Sequence, residues 1–448
     1  SQLLGFSFQR MRLGLTMTIR PLFLQKDVTK AMGLCIMKKN SKGAADDSPC
    51  KKERLMILDI KEEALAAASR WQDLFYNLHR CPELGRKEQR TADMIRRRLE
   101  ELGIPYVPMA DTGTMAVIWG EQPGRTLCFR ADIDALPIAE DTDLVYSSQN
   151  PGVMHACGHD FHTAALLGAA ELLQNRRREL VGTVKLFFQP DEEGDGGAAR
   201  MIAAGCMEEP HVDAALCVHV ESGIPTGTLT VKAGPICASS NPFAVTLRGR
   251  GTHGAKPHLG TDVITAGAQI ITALQTISSR RTSPTEPVVV TVGSFHAGEA
   301  GNVLPEEAKF TGILRTMGGE ARERVKADFR SIVSGIAAGM GVEAEIEIFE
   351  SYPGCRNNPA MTDLVRRAAG KILGERNVLE LEEPSLGTDD FGYFSDAVPG
   401  CYFYIGVGNA EKGFTYPNHN PHFTADPDAL PLAAAVEAQA AVDFLCGE

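Results

Sequence analysis

Apolar residues recur at helical spacing from Ile60 through Ala64, Ala67, Trp71, Leu74, Phe75 and Leu78, and again within Thr91–Leu102, so each stretch predicts a helix with one face turned to a core. The period then shortens: Thr114–Trp119 and Arg125–Ile133 are brief apolar runs bounded by Gly and Pro, the mark of strands. A helix over Thr163–Leu173, a strand over Thr183–Phe188, a helix over Gly197–Ala204 and a strand over Val212–Val220 follow. This alternation predicts an α/β fold, a sheet covered by helices on both faces, in which ligands bind beyond the strand ends. Polar groups gather at those ends: Asp132 and Asp134, then Asp191, Glu192 and Glu193, then His219.

Between Gly234 and Pro353 the order becomes strand (Phe243–Leu247), helix (Val263–Ser279), strand (Val288–Val292), strand (Ala308–Leu314), helix (Ala321–Ala338), strand (Val342–Phe349). That βαββαβ order is ferredoxin-like and self-sufficient in size, so it predicts an inserted domain. A helix over Thr362–Leu373 and a strand over Cys401–Val407 then resume the first style. The expected division is a leader (1–55), a first catalytic part (56–233), the insert (234–353) and a second catalytic part (354–448).

Composition alters this picture in two places. The leader carries 11 basic against 4 acidic residues, whereas the whole chain has a net charge of −12, and no amphipathic period persists in it. A transit peptide or translated sequence upstream of Met56 would both fit; the absence of Ser enrichment and of an initial Met favours the second. In either case disorder and no catalytic part are expected. The acidic remainder argues against nucleic acid and anionic membrane as partners and for a small molecule. Eleven cysteines without a pairing pattern fit a reducing compartment, taken here as the cytoplasm. No apolar run is expected to reach the roughly 20 residues that span a bilayer.

The chemistry concentrates in His155–His162, which offers three imidazoles, the thiol of Cys157 and the carboxylate of Asp160 just before a buried helix. These are donors for borderline divalent metals, and the chain has no CxxC pair that would make a structural zinc knuckle. A lone Cys or His more often packs in a core; clustering is what changes the reading. The neighbouring acids Glu192 and Glu193 suit two different tasks, metal binding and proton transfer from water. Cys157, His159, Glu193, His219 and His419 together make five donors from separate strand-end loops, too many for one tetrahedral ion and fitting for two. Zn, Mn, Co and Ni all accept such donors.

Eight motifs in one order make the resemblance specific: FRADIDALP (129–137), HACGHDFHTAALLGAA (155–170), FFQPDEEGDGGA (187–198), VHV (218–220), GTHGAKPH (251–258), NVLPEEAKFTGILRT (302–316), GTDDFGYF (387–394) and HNPHF (419–423). From about residue 60 onward the chain resembles the M20 metallopeptidase family, in its branch of auxin-conjugate, hippurate and N-acyl-amino-acid amidohydrolases. The resemblance implies an α/β catalytic domain with a mixed sheet flanked by helices and two divalent metals, plus an inserted ferredoxin-like lid through which two copies form a homodimer. It implies that Cys157 bridges the metals, that His159, Glu193, His219 and His419 complete their shell, that Glu192 is the general base, and that Asp134 orients a metal-bound imidazole. His419 is preferred to His422 because the family's ligand lies two residues before the proline; His155, His162 and His422 are left with packing or supporting parts. His253 resembles the histidine that reaches the partner subunit's site and stabilises the oxyanion, and Asn302 and Arg315 resemble the residues that hold a substrate carboxylate.

Two departures stand out: Asp191 replaces the usual Ala before the Glu pair, and GTDDF replaces GSEDF. The first is expected to raise the pKa of Glu192 by like-charge repulsion. The implied activity is hydrolysis of the amide bond of an N-acyl amino acid. A dipeptidase or an N-acetyl-diamino-acid deacetylase would use the same residues, and a silent metal-binding protein on this fold would have no need of both Glu192 and Glu193.

Overall fold

The computed structural model describes residues 53–447, with side chains described from Ile60 onward. The expected leader therefore lies outside the described residues except for its last three, which already belong to a helix.

In chain order the first part runs α1 (Glu53–His79), α2 (Gln89–Glu101), β1 (Tyr106–Met109), β2 (Gly113–Trp119), β3 (Gln122–Asp132), α3 (His159–Asn175), β4 (Val181–Gln189), α4 (Ala198–Ala203), β5 (Ala214–Pro225), β6 (Leu229–Val231) and β7 (Gly234–Pro235). The middle contains β8 (Ser239–Arg248), β9 (Thr252–His253), α5 (Val263–Leu274), β10 (Val288–Ala297), β11 (Val303–Leu304), β12 (Glu307–Thr316), α6 (Gly319–Gly339) and β13 (Glu343–Ile348). The last part is β14 (Arg356–Asn357), α7 (Pro359–Leu373), β15 (Val378–Glu380), α8 (Gly392–Ala397), β16 (Gly400–Gly408) and α9 (Leu430–Cys446).

The large sheet has eight strands in the order β1-β2-β4-β3-β5-β16-β6-β15. It is mixed: β3 runs parallel to β4 and β5, and β5 to β16, while β1, β2 and β6 pair antiparallel. Both faces are covered, and the period of two along β3 shows how. Leu127, Phe129 and Ala131 enter one core with α1, α3 and α9; Cys128 enters the other with Met201 and Phe394. On that second face Arg130 and Asp132 follow Cys128, so a strand buried on both sides still delivers polar groups at its end. The short strands β1, β6 and β15 were absent from the sequence-based expectation, since three or four residues show no period.

The second sheet has the antiparallel order β10-β12-β8-β13, the ferredoxin-like order for βαββαβ. Its own core joins Phe243, Val245 and Phe310 to Ile270 of α5 and Phe329 and Val333 of α6. The helix expected over Val263–Ser279 stops at Leu274 and gives way to a wider turn at Ile277–Arg281. Two connectors join this sheet to the large one, and they lie side by side where β7 pairs with β14.

One expectation needs correcting. Pro427–Cys446 is 20 residues long with a mean hydropathy of 1.4, long and apolar enough to cross a membrane by length and composition. It is 89% buried within the protein, because α9 fills the space between α1, α3 and α7, and it is a core helix.

The end of α1 is tied to the start of α3 by a buried ion pair. His79 Nδ1 lies 2.6 Å from Asp160, and Nε2 lies 3.4 Å from Glu140. Burial opposes the charge of His79, but the field and hydrogen bonds of Asp160 and Glu140 outweigh it and raise its pKa from 6.5 to about 9. A raised folded-state pKa gives stability that is fully present below pH 6.5 and is lost as the pH climbs through about 9. Denaturant titrations of the metal-free protein should therefore show wild type losing on the order of 3 kcal/mol more than His79→Gln over that window. A difference between the two proteins that stays constant with pH would sink the assignment.

Candidate metal centre and active site

Loops after β3, β4 and β16 converge on the middle of β5, so His219 lies within its strand and not at the strand end expected from the sequence. Gly158 begins α3 with φ +85°, and a Cβ there would fall 2.4 Å from Val220, so only glycine lets the Cys157 loop close on β5. Glu192 and Glu193 occupy the turn after β4, and His219 lies on β5. His419 follows β16 at φ +65°, its N–H donating to Ala156 at 2.7 Å.

These donors fall into two sets that share Cys157. Cys157, His159 and His219 form one; Cys157, Glu193 and His419 form the other, with donor atoms within 4.8 Å of one another in each. Cys157 Sγ lies 3.2 Å from His419 Nε2 and 3.6 Å from His219 Nε2, and His419 Nε2 lies 3.1 Å from Glu193. The second nitrogen of each imidazole decides which one faces the centre. His219 Nδ1 donates to the Val220 carbonyl at 2.8 Å, and His159 Nδ1 lies 3.3 Å from Asp134, so both rings turn Nε2 inward. His162 differs: Nδ1 is 2.6 Å from Asp132 and Nε2 accepts the Val220 N–H at 2.9 Å, which occupies both nitrogens and makes it a staple between α3 and β5. His155 is buried outside both sets, and His422 reaches Asp141.

Buried groups without partners show what the centre suits. His159 Nε2 is buried and makes no hydrogen bond, and the buried Glu193 Oε1 has only the His419 imidazole, 3.1 Å away, as its partner. Hydrogen bonds to Cys157 and Glu193 raise the pKa of His419 to about 10, a proton held where the local field favours positive charge. Burial, reinforced by His162, holds His219 well below its usual pKa, as a neutral donor. The thiol, imidazole and carboxylate set fits two borderline divalent cations sharing Cys157.

Glu192 sits beside this centre, buried, with its pKa pushed well above the carboxylate range by burial and then by Asp389, Glu193 and Asp390. The expectation that Asp191 would do this is not met. The turn directs the Asp191 carboxylate away, to Arg200 at 2.8 Å and Arg86 at 3.4 Å, and its backbone N–H donates to Glu88. The acid beside Glu192 is instead Asp389 of GTDDF, which clusters with Glu192 and Asp390; GSEDF carries an acid at the same place, so that departure adds no charge. Their charge is balanced by Arg130, which is fully buried and bonds Asp132 at 2.6 Å, Asp390 at 2.7 Å and Gln189 at 2.8 Å.

The centre opens into a cleft of about 450 Å³ that also takes in Arg315, Tyr352, Tyr404 and Asn418. Arg315 is half-buried and its Nη1 has no partner. Asn418, which sequence reasoning passed over beside His419, donates to the Cys157 carbonyl at 3.2 Å. His253 and Asn302 are not brought to the cleft; both are exposed, at the small two-stranded sheet where His253 of β9 pairs with Val303 of β11. A second cleft of about 420 Å³, between α1 and α2, contains none of these groups.

Residues 128–443 match the family model described as peptidase family M20/M25/M40. Among curated proteins, the chain is 40% identical over 371 residues to an N-acetylcysteine deacetylase of Bacillus subtilis, covering 82% of this chain and 95% of that one. It is 39% identical over 372 residues to thermostable carboxypeptidase 1 of Saccharolobus solfataricus, covering 82% and 93%. Among solved structures, the YxeP protein of Bacillus subtilis, described as a dinuclear metal binding peptidase from the M20 family, superposes with a TM-score of 0.75 at 37% identity, covering 85% of this chain and 99% of that one. By its motifs, its fold and the extent of these matches, the chain belongs to peptidase family M20/M25/M40 and is a hydrolase of the metal-dependent amidohydrolase kind.

Proposed function

We propose that the protein hydrolyses the amide bond of N-acyl amino acids, with Glu192 as general base. One observation carries the reading: a buried carboxylate of raised pKa stands between two donor sets that share Cys157, in a cleft whose other wall holds an arginine with an unpaired nitrogen. Cys157, His159, Glu193, His219 and His419 hold a pair of divalent ions, which when bound acidify water and polarise a carbonyl oxygen. Asp134 keeps His159 in the right tautomer through Nδ1. Glu192 takes the proton of the attacking water and returns it to the departing amine nitrogen; burial and the neighbouring acids Asp389, Glu193 and Asp390 raise its proton affinity. Arg315 holds the carboxylate of the amino acid, for which a guanidinium fork is the geometric match, and Asn302, which lies outside the cleft of its own chain, is read as joining it from a second copy. The names of the two relatives agree with this class, since an N-acetyl amino acid and a peptide's C-terminal residue both place a free carboxylate beside the scissile amide.

His253 is read as the oxyanion donor for the cleft of a second copy, a reading supported by its exposed position outside the cleft of its own chain. Leu259, Ile264 and Val303, exposed in the same middle segment, are apolar surface for a two-fold interface.

The reconstituted protein should turn over members of a panel of N-acetyl, N-benzoyl and indole-acetyl amino acids faster than dipeptides or N-acetyl-diamino acids; hydrolysis confined to the last two classes would overturn the substrate assignment. Glu192→Gln should keep both metals and lose about a thousandfold in kcat, and a metal-depleted variant would mean that Glu192 is a ligand. Elemental analysis should find one metal equivalent missing in His219→Ala and both missing in Cys157→Ala, because only Cys157 belongs to both sets. Equal losses in the two variants would contradict that partition. Mixing Glu192→Gln with His253→Ala under subunit exchange should restore part of the activity, and verified heterodimers without activity would refute a shared site.

A further inference from the structure

The connector that returns from β13 to β14 does more than join two sheets. Tyr352 lies on it, half-buried, and its hydroxyl donates to the carbonyl oxygen of Glu192 at 2.7 Å while lying 3.0 Å from that of Gly194. These two carbonyls bracket Glu193, so one side chain grips the turn that carries both acids. Its ring packs so closely on the same turn that a Cβ at Gly196, where φ is +87°, would fall 2.8 Å from Cε1.

The connector is itself held firmly, and from the side of the cleft that carries Arg315. The Ser240 N–H donates to the Tyr352 carbonyl at 3.0 Å, and Ser240 is the register partner of Arg315 across β8 and β12. Arg322 of α6 donates to the Ser351 carbonyl at 2.8 Å and to Asn241 at 2.7 Å, and Asn241 donates to the Phe349 carbonyl at 2.8 Å. Further along, the Cys355 thiol donates to the Asp389 carbonyl at 3.2 Å, so the connector also touches the loop that carries the acids beside Glu192. A continuous path of short hydrogen bonds therefore runs from the strand pair holding Arg315 to the turn holding Glu192.

We propose that Tyr352 is a positioning residue: its hydroxyl fixes the Glu192–Gly194 turn relative to Arg315, so that the base and the site for the substrate carboxylate keep one spacing. The inference rests on the reading of Glu192 as base and Arg315 as carboxylate site. Asp134 already holds the Glu193 N–H from the large-sheet side at 3.0 Å, so loss of the hydroxyl should leave the metal donors in place and loosen the turn on its other side. A misplacement of this kind acts on the chemical step more than on binding.

The test compares Tyr352→Phe with Tyr393→Phe in the metal-loaded full chain. Tyr393 also reaches the connector, at the Ser351 carbonyl 3.4 Å away, but does not bond the turn, so it controls for general loosening. With the best substrate of the panel, Tyr352→Phe should lower kcat about tenfold and leave KM within about twofold. It should retain both metals and show faster amide hydrogen exchange over residues 192–196, and Tyr393→Phe should do none of this. An unchanged kcat, a loss that tracks loss of metal, or an equal loss in Tyr393→Phe would overturn the proposal. If wild type hydrolyses no member of the panel, the proposed function fails and exchange alone decides: faster exchange in Tyr352→Phe keeps the clamp, and unchanged exchange removes it.

Discussion

Asp134 takes donors from two directions, and the centre depends on that. One oxygen lies 3.3 Å from His159 Nδ1 at the start of α3, and the other accepts the Glu193 N–H at 3.0 Å in the turn after β4. A single carboxylate at the end of β3 thus sets the angle of one imidazole and the place of one acid, two donors that belong to different sets around Cys157. Two residues earlier Asp132 faces the same centre and does a related job, bonding His162 and Arg130. Short acids make this possible: Asp132 ends a strand buried on both faces and Asp134 lies just past it, where the Ile133 N–H still donates to the Gln189 carbonyl of β4 and fixes the backbone.

The buried charges beneath the centre are a cost that function explains better than stability. Arg130 is fully enclosed with Asp132, Asp389 and Asp390, and a buried network of this kind is often no more stable than an apolar replacement. Its effect here is electrostatic: acids that surround Glu192 raise its proton affinity, while Arg130 limits the repulsion among them.

The two sheets divide the work along the cleft. The large sheet brings the metal donors together on β5 and the loops around it; the second sheet brings Arg315, and the connector with Tyr352 lies between. His253 and Asn302 sit at the small two-stranded sheet of that same middle segment, away from the cleft of their own chain.

Much of this was legible in the sequence because it is local. The apolar faces of α1 and α2, the runs of β2 to β5 and the βαββαβ order follow from periods of 3.6 and 2 that need no distant partner. Donor types crowded into His155–His162 and Glu192–Glu193 marked the centre for the same reason. Tertiary structure alone decided which donors face it: of three histidines within eight residues, His162 has both nitrogens occupied by Asp132 and Val220, and His159 keeps Nε2 free. It also decided which acid acts on Glu192. Asp191 is adjacent in the chain, yet the turn points it at Arg200, whereas Asp389 arrives from a remote loop. Charge acts through space, and successive side chains in a turn diverge, so adjacency along the chain was the wrong measure of distance.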